Sequence, residues 1–184
     1  MTPEILLEFW FAEGPDTARP VWFRRDDAFD AALRENCGAL RPAPGWADTP
    51  HGALALCLAL DQLPRNLNRG SSAAFARDAE ARAVARQAVL ARRFDLALTP
   101  TQRVFLYLPF EHAEVMADQD LSVALFEGLR DHPRHAAPGG SIDYAWRHRS
   151  VIERFGRFPH RNAVLGRTGT AAELAYLSQP GAGF

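Results

Sequence analysis

The segment that decides the fold is residues 49–64, which reads TPHGALALCLALDQLP. Thr49 before Pro50 marks a helix start, because a hydroxyl can cap the first turn and proline suits its first position. Residues 52–63 are almost entirely apolar, so we expect a helix that is central and covered on most sides. Pro64 should end or bend this helix.

Helix start signals recur along the chain, and no stretch alternates as a half-buried strand would. Alanine, leucine and arginine dominate while valine and isoleucine are few, which favours helix over strand. Pro3 follows Thr2, and Thr99–Gln102 and Thr170–Glu173 have the spacing of capping boxes. The sequence therefore predicts one all-α domain, residues 1–184, of about eight helices in antiparallel pairs.

The predicted helices are joined by short loops. They cover residues 3–11, 21–36, 52–63, 73–93, 100–108, 118–130, 141–154 and 171–177, and the helix at 73–93 is the longest. Prolines and glycines predict loops at residues 42–45 and 131–140, and Pro109 should interrupt the helix that begins at residue 100.

Composition excludes several kinds of mechanism. All 21 basic residues are arginine, so chemistry that needs a lysine side chain, such as a Schiff base or a P-loop, is ruled out. The 22 acidic residues bring the formal charge to -1, and the arginines form no basic stripe, which makes nucleic acid an unfavourable partner. A biased genome composition explains most of the arginine content.

Several motifs that would mark a catalytic site, a disulfide or a membrane segment are absent from the sequence. The sequence contains no G-x-G-x-x-G, G-x-S-x-G or H-E-x-x-H motif, and no motif in it indicates a particular cofactor. Cys37 and Cys57 do not form a C-x-x-C motif, so we expect both to be buried thiols. The beginning of the chain has no basic leader, and the longest apolar stretch, residues 53–60, is far shorter than the ~20 residues of a membrane span. We expect a cytoplasmic protein without a membrane segment.

The first of three polar segments lies where the central helix should end, at residues 61–70. Asp61 follows eight apolar residues and should point inward, where a carboxylate needs a partner. Arg65 lies one helical turn later and could supply it. Asp61, Arg65, Asn66 and Arg69 are therefore candidate ligand-binding residues. The alternative is that they only tie down a kinked helix end.

The second segment places a histidine between two carboxylates, at Glu111, His112 and Glu114. Such a group could transfer protons, with a raised histidine pKa, or take part in a divalent-metal site. Adjacent residues of a helix point in different directions, so a solvated or salt-bridged helix end is the competing interpretation. We take these three residues as catalytic candidates and assign no metal ligand.

The third segment begins at the end of the helix predicted at 141–154 and continues to Arg167. It carries Arg154, Arg157, His160, Arg161 and Asn162. A glycine and a proline among them break any regular helix, so these cations cannot all lie on one solvated face. Arginine binds carboxylate or phosphate oxygens at two points, and His160 could add a proton donor. Alternatively, internal acids such as Glu111 and Glu114 neutralise these arginines.

Three motifs in this order cover most of the chain: LDQLPRN at 60–66, FLYLPFEHAE at 105–114 and RFGRFPHRN at 154–162. In them the sequence resembles the bacterial domain-of-unknown-function family 924. It departs from that family at Ala113 and Gly169, where serine is common. The resemblance implies an all-helical fold similar to tetratricopeptide-like arrays, with no established activity.

Together the three segments predict a small-molecule site where interrupted helices converge. The arginines would bind a phosphate or carboxylate group, and His112, His160, Glu111 and Glu114 would move protons in a hydrolytic or transfer reaction. The competing prediction is an interaction scaffold without catalytic activity. Its concave face would hold a peptide or another protein among exposed aromatics such as Trp22, Trp46 or Trp146.

Overall fold

The computed structural model describes residues 2–43 and 45–183, and the regular structure in these ranges is entirely helical. The all-α prediction is therefore confirmed. Met1, Phe184 and Pro44, which belongs to the loop predicted at 42–45, lie outside the described residues. No helix in the described ranges is long and apolar enough to cross a membrane.

The elements follow one another with short connections. The α-helices are α1 (Pro3–Trp10), α2 (Asp27–Cys37), α3 (Pro50–Cys57), α4 (Leu63–Leu67), α5 (Asp78–Arg86), α6 (Pro100–Glu111), α7 (Met116–Glu127), α8 (Pro133–Ala136), α9 (Ser141–Phe155) and α10 (Ala171–Leu177). Turns of 3₁₀-helix lie at Pro20–Trp22, Trp46–Asp48, Ser72–Ala74, Phe94–Ala97 and Pro159–Arg161, and π-helical turns at Leu58–Gln62 and Gln87–Ala91.

Pro64 does not end the central helix, because a π-helical turn carries the chain from α3 into α4. The N–H of Leu63 donates to the carbonyl of Leu58, five residues back, so the backbone is widened just before the proline ring. Pro64 then occupies one of the first two positions of α4, where a missing N–H loses little.

Other boundaries also differ from the prediction. The helix expected from residue 21 starts at Asp27, because the side chain of Asp26 accepts the N–H of Phe29 and caps it there. The helix expected at 73–93 is divided into a 3₁₀ turn, α5 and a π-helical turn, and it ends at Ala91, two residues before Arg93, whose φ of 55° is left-handed. The longest helix of the described chain is α9.

Two proline predictions fail in a similar way. Helix α6 continues through Pro109 as far as Glu111. A proline removes one hydrogen bond, and the burial of neighbouring residues such as Phe105 and Phe110 compensates for that loss. The loop predicted at 131–140 contains α8, which begins at Pro133 because proline is suited to a first helical position.

The contacts divide the chain into two compact units. Unit 1 comprises Met1–Arg69 and Ala73–Pro109, and unit 2 comprises Gly70–Ser72 and Phe110–Phe184. In unit 1, α3 packs against α1 and α5, and five of its eight residues are buried, as the apolar segment predicts. The aromatic core of this unit includes Trp22, whose ring lies 5.0 Å from that of Phe105.

In unit 2, α7 and α9 pack against each other, and α8 packs on α9. The buried cluster of this unit contains Val151, Ile152 and Phe158. The short α10 contacts the 3₁₀ turn Pro159–Arg161, so the loop between α9 and α10 folds back onto the body of the unit. The organisation as a single domain of tetratricopeptide-like pairs stays a prediction.

Candidate functional site

The first polar segment belongs to unit 1, and its central ion pair is the one that the sequence spacing predicts. Asp61 is buried in the π-helical turn, and its Oδ1 lies 3.0 Å from the Nη1 of Arg65. The guanidinium of Arg65 also donates two hydrogen bonds, of 2.8 and 2.9 Å, to the carboxylate of Asp78. Burial alone would lower the pKa of Arg65, but the charges of Asp61 and Asp78 outweigh it and raise the pKa.

Arg69 and Asn66, from the same segment, also have partners inside unit 1. Arg69 donates to both oxygens of Asp30, at 2.8 and 3.3 Å, and to the Oδ1 of the buried Asn66 at 3.1 Å. An anion at this segment would have to displace Asp30 or Asp78. These contacts are those of a tied-down helix end, and ligand binding by the first segment stays a prediction.

The second and third segments meet within unit 2, and Glu114 joins them. One carboxylate oxygen accepts the backbone N–H of Phe158 at 2.7 Å, and both oxygens accept the forked guanidinium of Arg167, at 2.7 and 3.0 Å. Burial would raise the pKa of Glu114, yet the bonds from Arg167 and Phe158 together lower it. Glu114 is therefore an ionised clamp on the loop between α9 and α10.

A second clamp holds the other end of the same loop. Arg157 donates two hydrogen bonds to the buried Glu173, of 2.6 and 2.8 Å, and one to the carbonyl of Thr168. Glu173 also completes the predicted capping box with Thr170 at the start of α10. The bond from Arg157 is the main reason that the pKa of Glu173 is lowered. The capping-box spacing predicts the role of Glu173 at the helix start, but no sequence pattern indicates its pairing with Arg157.

The ring of Phe158 is the centre of a polar cluster. The ring of His148 lies 5.5 Å from its centroid, that of His160 lies 5.6 Å away, and the guanidinium carbon of Arg161 lies 4.6 Å from it. Such a distance allows a cation–π interaction between Arg161 and Phe158. His148 was not among the predicted site residues, because no motif surrounds it in α9. Asn162, next to Arg161, is buried too.

His148 links this cluster to the second segment. Its Nδ1 lies 2.8 Å from the carbonyl of Tyr144 and 3.3 Å from an oxygen of Glu111, and its ring lies 6.2 Å from that of His112. Burial, followed by the charge of His112, places the pKa of His148 well below its usual range. The structure thus brings Glu111 and His112 together with the third segment in one electrostatic neighbourhood.

His160 has a low pKa for the same reasons. Burial and then the charges of Arg161 and His112 lower its pKa to about 4. At neutral pH its imidazole is uncharged and can accept a proton.

Hydrogen bonds from the side chain of Gln119 fix the turn that carries His112. The side-chain amide of this fully buried residue donates to the carbonyls of Glu111 and Ala113, at 2.6 and 2.7 Å. These two carbonyls follow the end of α6, where a helix leaves acceptors without helical partners. Gln119 therefore orients the backbone on both sides of His112.

A cleft beside the predicted residues is open and has a volume of about 530 Å³. Its walls are formed by Arg154, Phe155, Arg157, Thr170, Ala172 and Glu173. The guanidinium carbon of Arg154 lies 4.7 Å from the ring centroid of Phe155. Within the described parts of the chain, Arg154 forms no ion pair, unlike Arg65, Arg69 and Arg157.

The tryptophans predicted to line the binding face of an interaction scaffold differ in exposure. Trp22 and Trp46 are buried in unit 1, whereas Trp146 is 45% exposed. Trp146 lines a second cleft of unit 2, about 330 Å³ in volume, together with Arg147, Ser150, Val151, Tyr176 and Gly181. Among the residues that the structure describes, no group of three histidine, cysteine, aspartate or glutamate side chains is arranged to hold a metal ion.

The chain is similar to known proteins in both sequence and fold. Residues 6–181 match a family described as bacterial protein of unknown function (DUF924). A solved structure, that of the protein of unknown function ATU0120 from Agrobacterium tumefaciens, is 38% identical in sequence and superposes with a TM-score of 0.81. The alignment covers 96% of each chain. No curated protein matches the sequence.

Proposed function

The chain belongs to the bacterial family of unknown function DUF924, and we propose that unit 2 binds a small anionic metabolite through a phosphate or carboxylate group. The proposed site is the cleft lined by Arg154, Phe155, Arg157 and Thr170. The observation that carries this proposal is the state of Arg154, a guanidinium beside open space with no carboxylate partner in the described chain.

Stacking on Phe155 supports the same proposal, because it holds the guanidinium of Arg154 in place before a ligand arrives. A pre-oriented fork loses less conformational entropy when it binds two oxygens of an anion. Arg157, which also lines the cleft, is held in place by Glu173 and Thr168. It adds positive charge, partly offset by Glu173, and the hydroxyl of Thr170 adds a polar group.

A hydrolytic or transfer reaction would use the neutral imidazole of His160 as the proton acceptor. His160 follows Arg157 by three residues, so the two Cα atoms are at most about 11 Å apart. A metabolite that contacts Arg157 could therefore extend toward His160. His112 and Glu111 complete the proposed proton-transfer group through His148, while Arg161 and Asn162 form its buried wall. Glu114 keeps the loop in place.

The experiment is a titration with inorganic phosphate, citrate and acetate, followed by calorimetry and by the melting temperature. Hydrogen bonds to a charged group contribute about 1.5–3 kcal/mol. Arg154→Gln should therefore weaken the best of these ligands by roughly 10- to 100-fold. The ligand should also raise the melting temperature of the unmodified protein, since it binds only the folded state.

The matched control is Arg147→Gln on the same helix. Arg147 is exposed like Arg154, but it pairs with Asp143 and does not line this cleft. We expect this variant to bind the anion as the unmodified protein does. Equal weakening by both variants, or no binding of any of the three anions at millimolar concentration, would refute the proposed site.

A second candidate function rests on the cleft beside Trp146. An exposed tryptophan next to Tyr176 is suited to an apolar side chain of a bound peptide. Selection of peptides from a displayed library on the immobilised protein tests this candidate, with Trp146→Ala as the counter-selection. Peptides that bind only when Trp146 is present would favour an interaction role, whereas their absence would leave the anion site as the function to pursue.

A further inference from the structure

We propose that Ser141 and His135 form a nucleophile–base pair that cleaves small activated carboxylic esters. The Oγ of Ser141 lies 3.0 Å from the Nδ1 of His135, within hydrogen-bonding distance. Serine is a weak nucleophile unless an adjacent base takes its proton, and this contact provides such a base. Neither residue lines the anion cleft, so this inference is independent of the proposed function.

The two side chains differ in exposure in the way that such a pair requires. His135 is buried, with 5% of its surface exposed, and therefore keeps one orientation. Ser141 is only half-buried and so lies at the surface, where the proposed reaction requires its hydroxyl to meet a small molecule. A base held in the interior beside an accessible hydroxyl is the arrangement by which serine hydrolases activate their nucleophile.

The turn between them is built to one geometry. Gly139 has a φ of 75°, in the left-handed region that favours glycine. A Cβ on Gly140 would lie 2.6 to 2.8 Å from the carbonyl oxygens of Arg134, His135 and Ala137. Only glycine fits there without a backbone shift, and the closely packed turn fixes the position of Ser141 relative to His135.

The start of a helix beside Ser141 could supply donors for an oxyanion. Ser141 is the first residue of α9, a helix of 15 residues. The first N–H groups of any helix have no partner within it, so they can donate to the oxyanion that forms when a carbonyl is attacked. The electrophile in question is the carbonyl carbon of an ester with a good leaving group.

The proposed reaction has two steps. In the first, the Oγ of Ser141 forms a bond to the ester carbonyl carbon while its proton moves to the Nδ1 of His135. The bond to the alcohol oxygen then breaks, and the departing alcohol takes that proton, which leaves an acyl-serine. In the second, water attacks the acyl carbon and gives a proton to His135. This proton returns to the Oγ as the carboxylic acid leaves.

The test uses a fluorophosphonate probe on the folded full-length protein, followed by mass spectrometry of its peptides. We expect one adduct, on Ser141, and none on Ser150. Ser150 is the internal control because it lies on the same helix and is exposed, but its hydroxyl donates to the backbone carbonyl of Trp146. No adduct on Ser141, or equal labelling of both serines, would overturn the proposal.

The base is tested by His135→Gln, whose fold is checked by circular dichroism. Labelling should slow by at least roughly 100-fold, the typical contribution of a general base. If this variant does not fold, the pH dependence of labelling in the unmodified protein decides. A rate that falls as an imidazole becomes protonated supports the pair, and a rate that stays constant down to the pH at which the protein unfolds contradicts it.

Discussion

Replacing Glu114 by glutamine tests the clamp that holds the loop between α9 and α10. The carboxylate accepts the backbone N–H of Phe158 and two bonds from Arg167, residues that follow it by 44 and 53 positions. Glutamine has almost the same shape but no charge. The substitution therefore removes the charge from all three bonds while the side chain still fills the same space.

The size of the effect can be worked from these contacts. Hydrogen bonds to charged groups contribute about 1.5–3 kcal/mol each, and glutamine keeps one acceptor oxygen. A quarter of each side chain is exposed, 24% for Arg167 and 25% for Glu114, so solvent screens part of the ion pair. We expect the free energy of unfolding to fall by about 2 kcal/mol. The thermal midpoint should then fall by about 6 °C.

The assay combines thermal unfolding, followed by circular dichroism, with hydrogen exchange of the Phe158 amide, which should accelerate in Glu114→Gln. Glu153→Gln is the control, because Glu153 also pairs with an arginine, Arg149, but its side chain is 62% exposed. The control should leave the midpoint almost unchanged. A midpoint for Glu114→Gln within about 1 °C of the unmodified protein would refute the clamp, since that change is far below the shift expected from the loss of about 2 kcal/mol.

The same variant has a defined pH dependence. Burial would raise the pKa of Glu114, but its hydrogen bonds lower it in the folded protein. The stabilisation is therefore complete above the ordinary glutamate pKa of about 4.3 and is lost as the pH falls through the lowered value. The difference in stability between the unmodified protein and Glu114→Gln should shrink in acid.

Two further predictions concern groups whose burial controls their chemistry. The pKa of His160, lowered to about 4 by burial and nearby cations, should appear as that midpoint in an NMR titration of its ring proton. Because the unfolded chain takes up this proton near pH 6.5, stability should fall between about pH 6.5 and 4, and His160→Gln should weaken that dependence. A midpoint near 6.5 would contradict the described environment. Cys37 and Cys57 are buried, and burial raises the pKa of both thiols, so neither should react with Ellman's reagent until denaturant is added. Fast reaction of the folded protein would contradict this prediction.

Much of the fold could be predicted because its signals are local. The capping boxes at Thr99 and Thr170 join residues three positions apart, and both are present, with reciprocal hydrogen bonds to Gln102 and Glu173. The part of the apolar segment 52–63 that lies in α3 is mostly buried, as expected. The helix end expected at Pro64 and the interruption expected at Pro109 are both absent, because a π-helical turn at one and the burial of neighbouring residues at the other outweigh the loss of a hydrogen bond.

The candidate site could be predicted only in part. Residue types and helix breaks indicated Glu111, His112 and the segment from Arg154 to Asn162. His148 and the pair of Ser141 with His135 were missed, since no short motif marks them. From the sequence, the arginines could either bind an anionic ligand or pair with acidic side chains of the same chain. The structure shows internal carboxylate partners for Arg65, Arg69 and Arg157, and an open cleft beside Arg154.

The amino-acid sequence by itself determined the helical class, the capping of individual helices, the exclusion of lysine chemistry and the family. These properties depend on composition or on neighbours within one or two helical turns. Only the tertiary structure decided which acid meets which arginine, and so which charge remains available. Ion pairs such as that of Glu114 with Arg167 join residues 53 positions apart. Any carboxylate of the chain has the chemistry to form such a pair, so only its position in space selects the partner.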